Sequence, residues 1–351
     1  MAQHVSDGFL AAWRNGGRRV KRVYLSTARG PWTGVDFVDY RIAGSRGART
    51  VSRYSGTITL PPTVDPSTVD EFASRVQVRA GFVVNGVEEL VNLATMTVYD
   101  VDEDNVGRLT LTGYSVEKAV EDAKFRSAWV LTSGSGVTAL CALLAPANVE
   151  IVVRTTRNSS VSPAVYDSDR WGAAVNDLIT AMSVDVFCDP NGVLVIEDVP
   201  TLDDAPVVTL VGVTTGYARH RTRQGVPNVV VVEGNQTSQG PPPRGEWVDR
   251  NPFSPTYIGG PYGQVVQRFG NPLMLTPQSC TLAATTIGTN LQGLSRSMTL
   301  TSLSADFLEP GDVVDAVLAD GSHELHIVDQ LTHASSGTQS LTTRTTGGVS
   351  S

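Results

Sequence analysis

The chain has 351 residues, 41% of them apolar and 18% charged, with 33 glycines, 19 prolines and a formal charge of -8. That balance suits an ordinary folded protein with more than one core and excludes a disordered or collagen-like chain. No apolar run approaches the ~18 residues of a membrane helix, and Phe9 to Trp13 is too short for a signal-peptide core, so a soluble, non-exported protein with no membrane insertion is expected.

The charge is unevenly placed. Residues 1–60 carry ten Lys/Arg against three Asp/Glu, while the remainder is strongly acidic. Either Arg18, Arg19, Lys21 and Arg22 flank a solvated strand, or they form a docking face; no aromatic-studded basic groove accompanies them to suggest nucleic acid. Cys141, Cys188 and Cys280 are far apart and odd in number, which points to buried thiols.

In chain order, Val5 to Trp13 predicts a short helix stopped by Asn15-Gly16-Gly17. Together with a basic arm it fills residues 1–19. Strands follow at Arg22 to Thr27, Phe37 to Ile42 and Thr50 to Leu60. Val76 to Val84 and Val87 to Tyr99 then flank Asn85-Gly86, the pair that suits a type I′ hairpin turn. With Arg108 to Tyr114, residues 20–115 predict one antiparallel barrel or sandwich.

The texture changes after Tyr114. Ser135 can cap a helix carrying Val137, Leu140, Cys141 and Leu144, and Pro146 ends it. After a strand at Asn148 to Thr155, a second helix from Ser168 places Trp171, Ala174, Val175, Leu178, Ile179 and Met182 on one stripe. Val184 to Cys188, the turn Asp189-Pro190-Asn191-Gly192 and Val193 to Asp198 form a hairpin. Residues 116–205 therefore predict a small α+β domain.

Residues 206–345 return to β-structure. The four valines at 229 to 232 predict a strand buried on both faces. Residues 235–263 hold six prolines with Trp247, Phe253, Tyr257 and Tyr262. A loop that long either contacts a partner through those aromatics or folds back to cover its own core. Ser279 can cap a helix with Cys280, Ala283, Ala284, Ile287 and Leu291 on one face and Gly293 as its stop. Arg296 to Leu303 follows as a strand. Glu309-Pro310-Gly311-Asp312 predicts a type II turn, since Pro310 presets its φ and Gly311 accepts the positive φ of the next position. Strands at Asp312 to Leu318, His323 to Val328, Leu325 to Leu331 and Gln339 to Arg344 complete the sheet, and 346–351 is expected to fray.

No catalytic, cofactor-binding or metal-binding residues emerge. Asp100, Asp102 and Asp104 start like a calcium loop, but Asn105 and Leu111 occupy its glycine and glutamate positions. His323 and His326 are three apart on a strand, so they point to opposite faces instead of chelating zinc. No G-x-S-x-G elbow or P-loop is present.

Several stretches together carry a resemblance. Asp169-Arg170-Trp171, Val186-Phe187-Cys188-Asp189-Pro190-Asn191-Gly192-Val193, Pro227 to Gly234, Ser254 to Gly263, the helix from Ser279 and Leu308 to Val314 match, in order and spacing, tail proteins from phages of actinobacteria. Phe9 to Trp13 resembles that family's opening helix, whereas Pro61-Pro62-Thr63-Val64-Asp65 departs from its pattern. The family is similar to the trimeric tail hub proteins of tailed phages and contractile injection systems. The resemblance implies a mainly β (α+β) fold with two tube-like modules, at 20–115 and 206–345, separated by the α+β insert.

It implies a non-enzymatic virion protein made in the host cytoplasm and placed at the tail tip. Three subunits would form a ring that adapts the sixfold tube to a threefold tip. Its partners would be further copies of itself, the tail tube or distal tail protein ring, a tail-tip fibre or spike, the tape-measure protein, and DNA in transit. No cofactor is implied. The alternative is a carbohydrate-binding or polysaccharide-degrading tail-tip protein, with Trp247, Tyr257 and Tyr262 as a stacking platform.

Overall fold

A computed structural model describes residues 3–28, 30–46, 52–235, 240–293, 296–318 and 320–345. The expected strand start at Thr50, part of the proline-rich loop (236–239) and the tail 346–351 lie outside the described residues.

The fold is mainly antiparallel β, as expected, but its sheets stay open, and no closed barrel forms among the described residues. Seven strands between Arg19 and Tyr114 lie side by side, with Ile42, Ile58, Leu60, Val76, Val78 and Leu111 wholly buried between them. Asn85 (φ 52) and Gly86 (φ 83) give the type I′ turn that the Asn-Gly pair predicted. A second group of strands, Thr214–Arg221, Arg296–Leu303, Val313–Val317, His323–Ala334 and Thr338–Arg344, is built around Leu300, Val328 and Leu341.

The sequence did not reveal how these groups meet. Gln330–Ala334 pairs antiparallel with Arg41–Ser45, so both groups belong to one 13-stranded sheet. The two strands expected at His323 to Val328 and Leu325 to Leu331 are one continuous strand, His323–Ala334, because no turn residue interrupts it.

The N-terminal helix, Asp7–Arg14, is capped by Ser6, whose Oγ accepts from the Phe9 N–H at 3.1 Å. Phe9 meets Phe82 and Phe307 edge-on, at centroid distances of 5.1 and 6.1 Å, so the helix touches both strand groups. Three of the four basic residues beside it, Arg19, Lys21 and Arg22, have partners within the chain. Arg19 forks onto Asp306 (Nε–Oδ2 3.1 Å, Nη2–Oδ1 2.5 Å), Arg22 meets Glu88 at 2.5 Å and Arg46 meets Asp185 at 2.8 Å.

Between the strand groups lies a separate α/β core. Asp169, one residue later than the expected Ser168, caps a π turn at Arg170–Val175 that runs into the α-helix Asn176–Met182; Trp171, Leu178 and Met182 are buried as the stripe required. This core extends further along the chain. Val229–Glu233 runs between Arg244–Val248 and Val266–Gly270, and all four valines are buried. The helix Pro277–Gly293 lies against that three-stranded sheet with Cys280, Ala283 and Ala284, and these residues share one core with Leu140, Trp171 and Ile196. Thr276 caps this helix, its Oγ1 accepting from the Ser279 N–H at 3.2 Å, so Ser279 lies inside the first turn.

The Pro-Gly turn forms as the sequence predicted. Gly311 has φ +100 and the Asp312 N–H donates to the Glu309 carbonyl at 3.2 Å. Gly311→Val is expected to cost about 1–2 kcal/mol through that φ, read as a lowered melting midpoint.

Candidate functional site

The turn does more than start a hairpin. Glu309 and Asp312, which would ordinarily be solvated, are 4% and 3% exposed. Arg53, from the edge of the first strand group, reaches the turn. Its Nη2 donates to the Pro310 carbonyl and lies 3.8 Å from Glu309 Oε2, and its guanidinium sits 3.7 Å over the Phe187 ring. Glu117, fully buried, accepts from the backbone N–H groups of Arg53 (3.2 Å) and Cys188 (2.7 Å), while its Oε2 has no partner among the described residues. One small volume thus joins the first strand group, the central α/β core and the second strand group.

The electrostatics of this junction follow from dryness. Burial is the largest cause of every carboxyl shift in it. Glu117 and Asp312 are raised, and Glu309 is pushed up to about 8, with Arg53 pulling it down and Asp312 pushing it up. The Cys188 thiol is also raised, which makes it inert.

The unfolded chain ionises Glu309 near 4.5, whereas the folded chain holds the proton to about 8. Between those values unfolding releases a proton, so stability falls as pH rises. The slope is about 1.4 kcal/mol per pH unit; the contribution is complete below the unfolded value and gone above the folded one. Buried His333, lowered to about 4, has the opposite sign, but only below its ordinary 6.5. The melting midpoint is therefore expected to drop between about pH 6.5 and 8. Glu309→Gln should flatten that slope, and a flat wild-type profile would contradict the assignment.

The aromatics of the proline-rich loop separate into two kinds. Trp247 is in the strand Arg244–Val248, half-buried against the helix at Gly288. Tyr262 donates its hydroxyl to the Val226 carbonyl at 2.6 Å, and Tyr257 is half-buried. Phe253 alone of the four is almost free, at 94% exposure. No shared stacking platform forms.

The loop is held by a polar knot instead. Asn228 donates to the carbonyls of Thr256 (2.9 Å) and Gly263 (2.7 Å), and Asp249 accepts from Thr256 (2.6 Å) and Gln292 (2.7 Å). Phe253 stands at the rim of a groove of about 570 Å³ between this loop, the segment Val199–Asp203 and the helix residues Thr285, Thr289 and Gln292.

Among the described residues, no three His, Cys, Asp or Glu side chains approach as a metal site would require. His326 is buried and His323 exposed, as alternation along a strand dictates. Ser304, His333 and Asp306 do come together, Ser304 Oγ lying 3.2 Å from His333 Nδ1 and 2.7 Å from Asp306 Oδ1. All three are at most 2% exposed, however, and Asp306 is already taken by Arg19, so no substrate reaches them. Arg53, Glu117 and Glu309 escaped sequence reasoning. Glu309 was named there only as the first residue of the predicted turn.

No family model and no curated protein matches the sequence. Solved structures do match the fold. A tail protein from Neisseria meningitidis MC58 superposes with TM-score 0.68 at 11% identity, over 94% of this chain and 97% of that one. The 43 kDa tail protein of prophage MuSo2 from Shewanella oneidensis gives 0.67 at 11% identity over 93% and 98%. Prophage tail protein gp18 from Listeria monocytogenes gives 0.58 at 12% identity over 94% and 95%. The likeness is one of fold.

Proposed function

We propose that this chain is a structural protein of a phage tail, the hub that closes the distal end of the tail tube. The observation that carries this reading is the end-to-end correspondence with two tail proteins, in which nearly all of each chain is used. The internal architecture supports it. Two antiparallel strand groups joined edge to edge at Arg41–Ser45 and Gln330–Ala334 give each chain two sheet modules, the number required for three copies to offer six to a sixfold tube.

The hub is a homotrimeric ring of the actinobacterial siphophage type. It contacts the tube or distal tail ring on one side and a fibre or spike on the other, and it passes tape-measure protein and then DNA. A chain of charge -8 suits a lumen that must not retain phosphates. No enzymatic activity is assigned, and the carbohydrate-binding reading lacks the aromatic platform it needs. Averaged images of intact tails tagged on this chain test the proposal: threefold density at the distal tip is expected, and a position along the tube or in the head would overturn it.

A further inference from the structure

One feature of the sheet is electrostatically odd. At the end of its edge strand Thr214–Arg221, Arg221 lies directly opposite Arg296. Like charges in facing positions destabilise a strand pair. Beside them Arg223 stacks 4.6 Å over the Tyr262 ring and donates to the Tyr262 carbonyl at 3.0 Å, which holds its guanidinium at the same place. The three arginines line a hollow of about 340 Å³ whose described lining contains no carboxylate. Asp249, which accepts from Thr256 of that lining, is 4% exposed and also committed to Gln292 and the Asn251 N–H. Every residue of the strand from Thr215 to Arg221 is exposed, and its outer edge pairs with nothing among the described residues.

Elsewhere in the same sheet the opposite feature occurs. Val87–Glu103 is paired by Ser74–Val84 only as far as Thr97, so one edge of the overhang Val98–Glu103 has no strand partner among the described residues. Asp100, Asp102 and Glu103 are exposed on it, and the twofold period of a strand puts Asp100 and Asp102 on one face. These two edges therefore carry opposite charges, whereas the strand at the sheet's far end, Thr33–Val35, carries none. An open strand edge is a template for another strand, and charge decides which strand is accepted.

We propose that the acidic overhang Val98–Glu103 of one copy adds to the open edge Thr214–Arg221 of the next, with Asp100 and Asp102 entering the hollow of Arg221, Arg223 and Arg296. The two surfaces are different, so the contact is head-to-tail and repeats around a closed ring. This inference rests on the ring reading given above and names the surfaces that build the ring.

Sedimentation velocity of the full chain tests it with three variants: Arg221→Glu with Arg223→Glu, Asp100→Lys with Asp102→Lys, and all four together. Wild type is expected to self-associate more weakly as salt rises, and each paired reversal to weaken association about tenfold or more. The fourfold swap is expected to restore it, because the signs are complementary again. The Asp100→Lys, Asp102→Lys variant should melt like wild type, whereas the arginine reversal also removes the Arg223–Tyr262 stack and hydrogen bond and is expected to melt slightly lower, so association is compared well below its midpoint. If wild type associates and the paired reversals associate equally well, these surfaces are wrong while the ring stands. If wild type stays monomeric at every concentration, the ring and the proposal both fall.

Discussion

Replacing Gly245 with alanine is expected to destabilise the central core by about 3 kcal/mol or more. A Cβ built there meets the backbone of the helix Pro277–Gly293: the Thr281 nitrogen at 2.0 Å, the Cys280 carbonyl carbon at 2.3 Å and the Thr281 Cα at 2.5 Å. Backbone atoms of a regular helix cannot rotate aside as a side-chain tip can. The helix must retreat from the strand Arg244–Val248, and doing so opens the packing of Cys280, Ala283 and Ala284 over Val230 and Val232. Gly288→Ala provides an internal comparison. Its Cβ would meet the Trp247 ring, with Cε3 at 2.2 Å and Cδ2 at 2.3 Å, and a half-buried ring can shift, so a cost of roughly 1–3 kcal/mol is expected. Thermal unfolding of both variants gives the order; equal midpoints would mean that the helix, not the ring, absorbs both changes.

How legible this was beforehand depended on the range of the interaction. Local signals were readable because their physics is local. Asn85-Gly86 and Pro310-Gly311 carry their turn geometry in two residues, and the Trp171 stripe carries its helix in a period. The four valines announced a strand with two buried faces, and Val229–Glu233 has them. What covers those faces was not readable. The helix Pro277–Gly293 shows its apolar face of Cys280, Ala283, Ala284, Ile287 and Leu291 in its period, but a face does not name its partner, and nothing in it announced that it would join the core of residues 116–205.

Edge pairing was equally silent. The Arg41–Ser45 strand has the same alternation whether its neighbour is solvent or the strand at Gln330–Ala334, because the side chains face up and down while the pairing runs sideways. The aromatic loop left two readings open, partner contact or folding back over its own core, for a related reason. Composition singles out Trp247, Phe253, Tyr257 and Tyr262 but does not tell an aromatic that packs inward from one that stands out, and of these Phe253 alone is almost wholly exposed. The basic excess of residues 1–60 was legible, but the partners of Arg19 and Arg46, Asp306 and Asp185, lie far along the chain.

Arg53→Met is expected to cost about 3–4 kcal/mol at neutral pH, and more as the pH rises. The methionine keeps much of the packing against Phe187 and removes only the charge and the donors. Three losses then combine. The Pro310 carbonyl loses its donor, the ring loses the cation at 3.7 Å, and Glu309 loses the positive charge that holds its pKa down. The last loss sets the sign of the pH dependence. In wild type, Glu309 keeps its proton to about 8; without Arg53 its folded value moves further above the unfolded 4.5, so the window in which stability falls with rising pH widens upward. At pH 6 Glu309 is neutral in both proteins and the variant loses only the hydrogen bond and the ring contact. At pH 9 wild type supports a carboxylate beside a guanidinium, whereas the variant must bury that carboxylate alone or open the junction.

The expected result is a midpoint lowered by roughly 5 °C near pH 6, with the gap growing toward pH 9. Adding Glu309→Gln to Arg53→Met should recover most of the alkaline loss, because the double variant has no acid left to ionise at that position and the coupling between the two sites is what a double-mutant cycle reads. A gap that stays constant with pH would show that Arg53 acts there as a packing residue and hydrogen-bond donor alone. A gap that grows would show that the Pro-Gly turn is held to the other two parts of the chain by charge as well as by shape. The first strand group, the central core and the second strand group would then separate first at this junction when the protein is stressed by base.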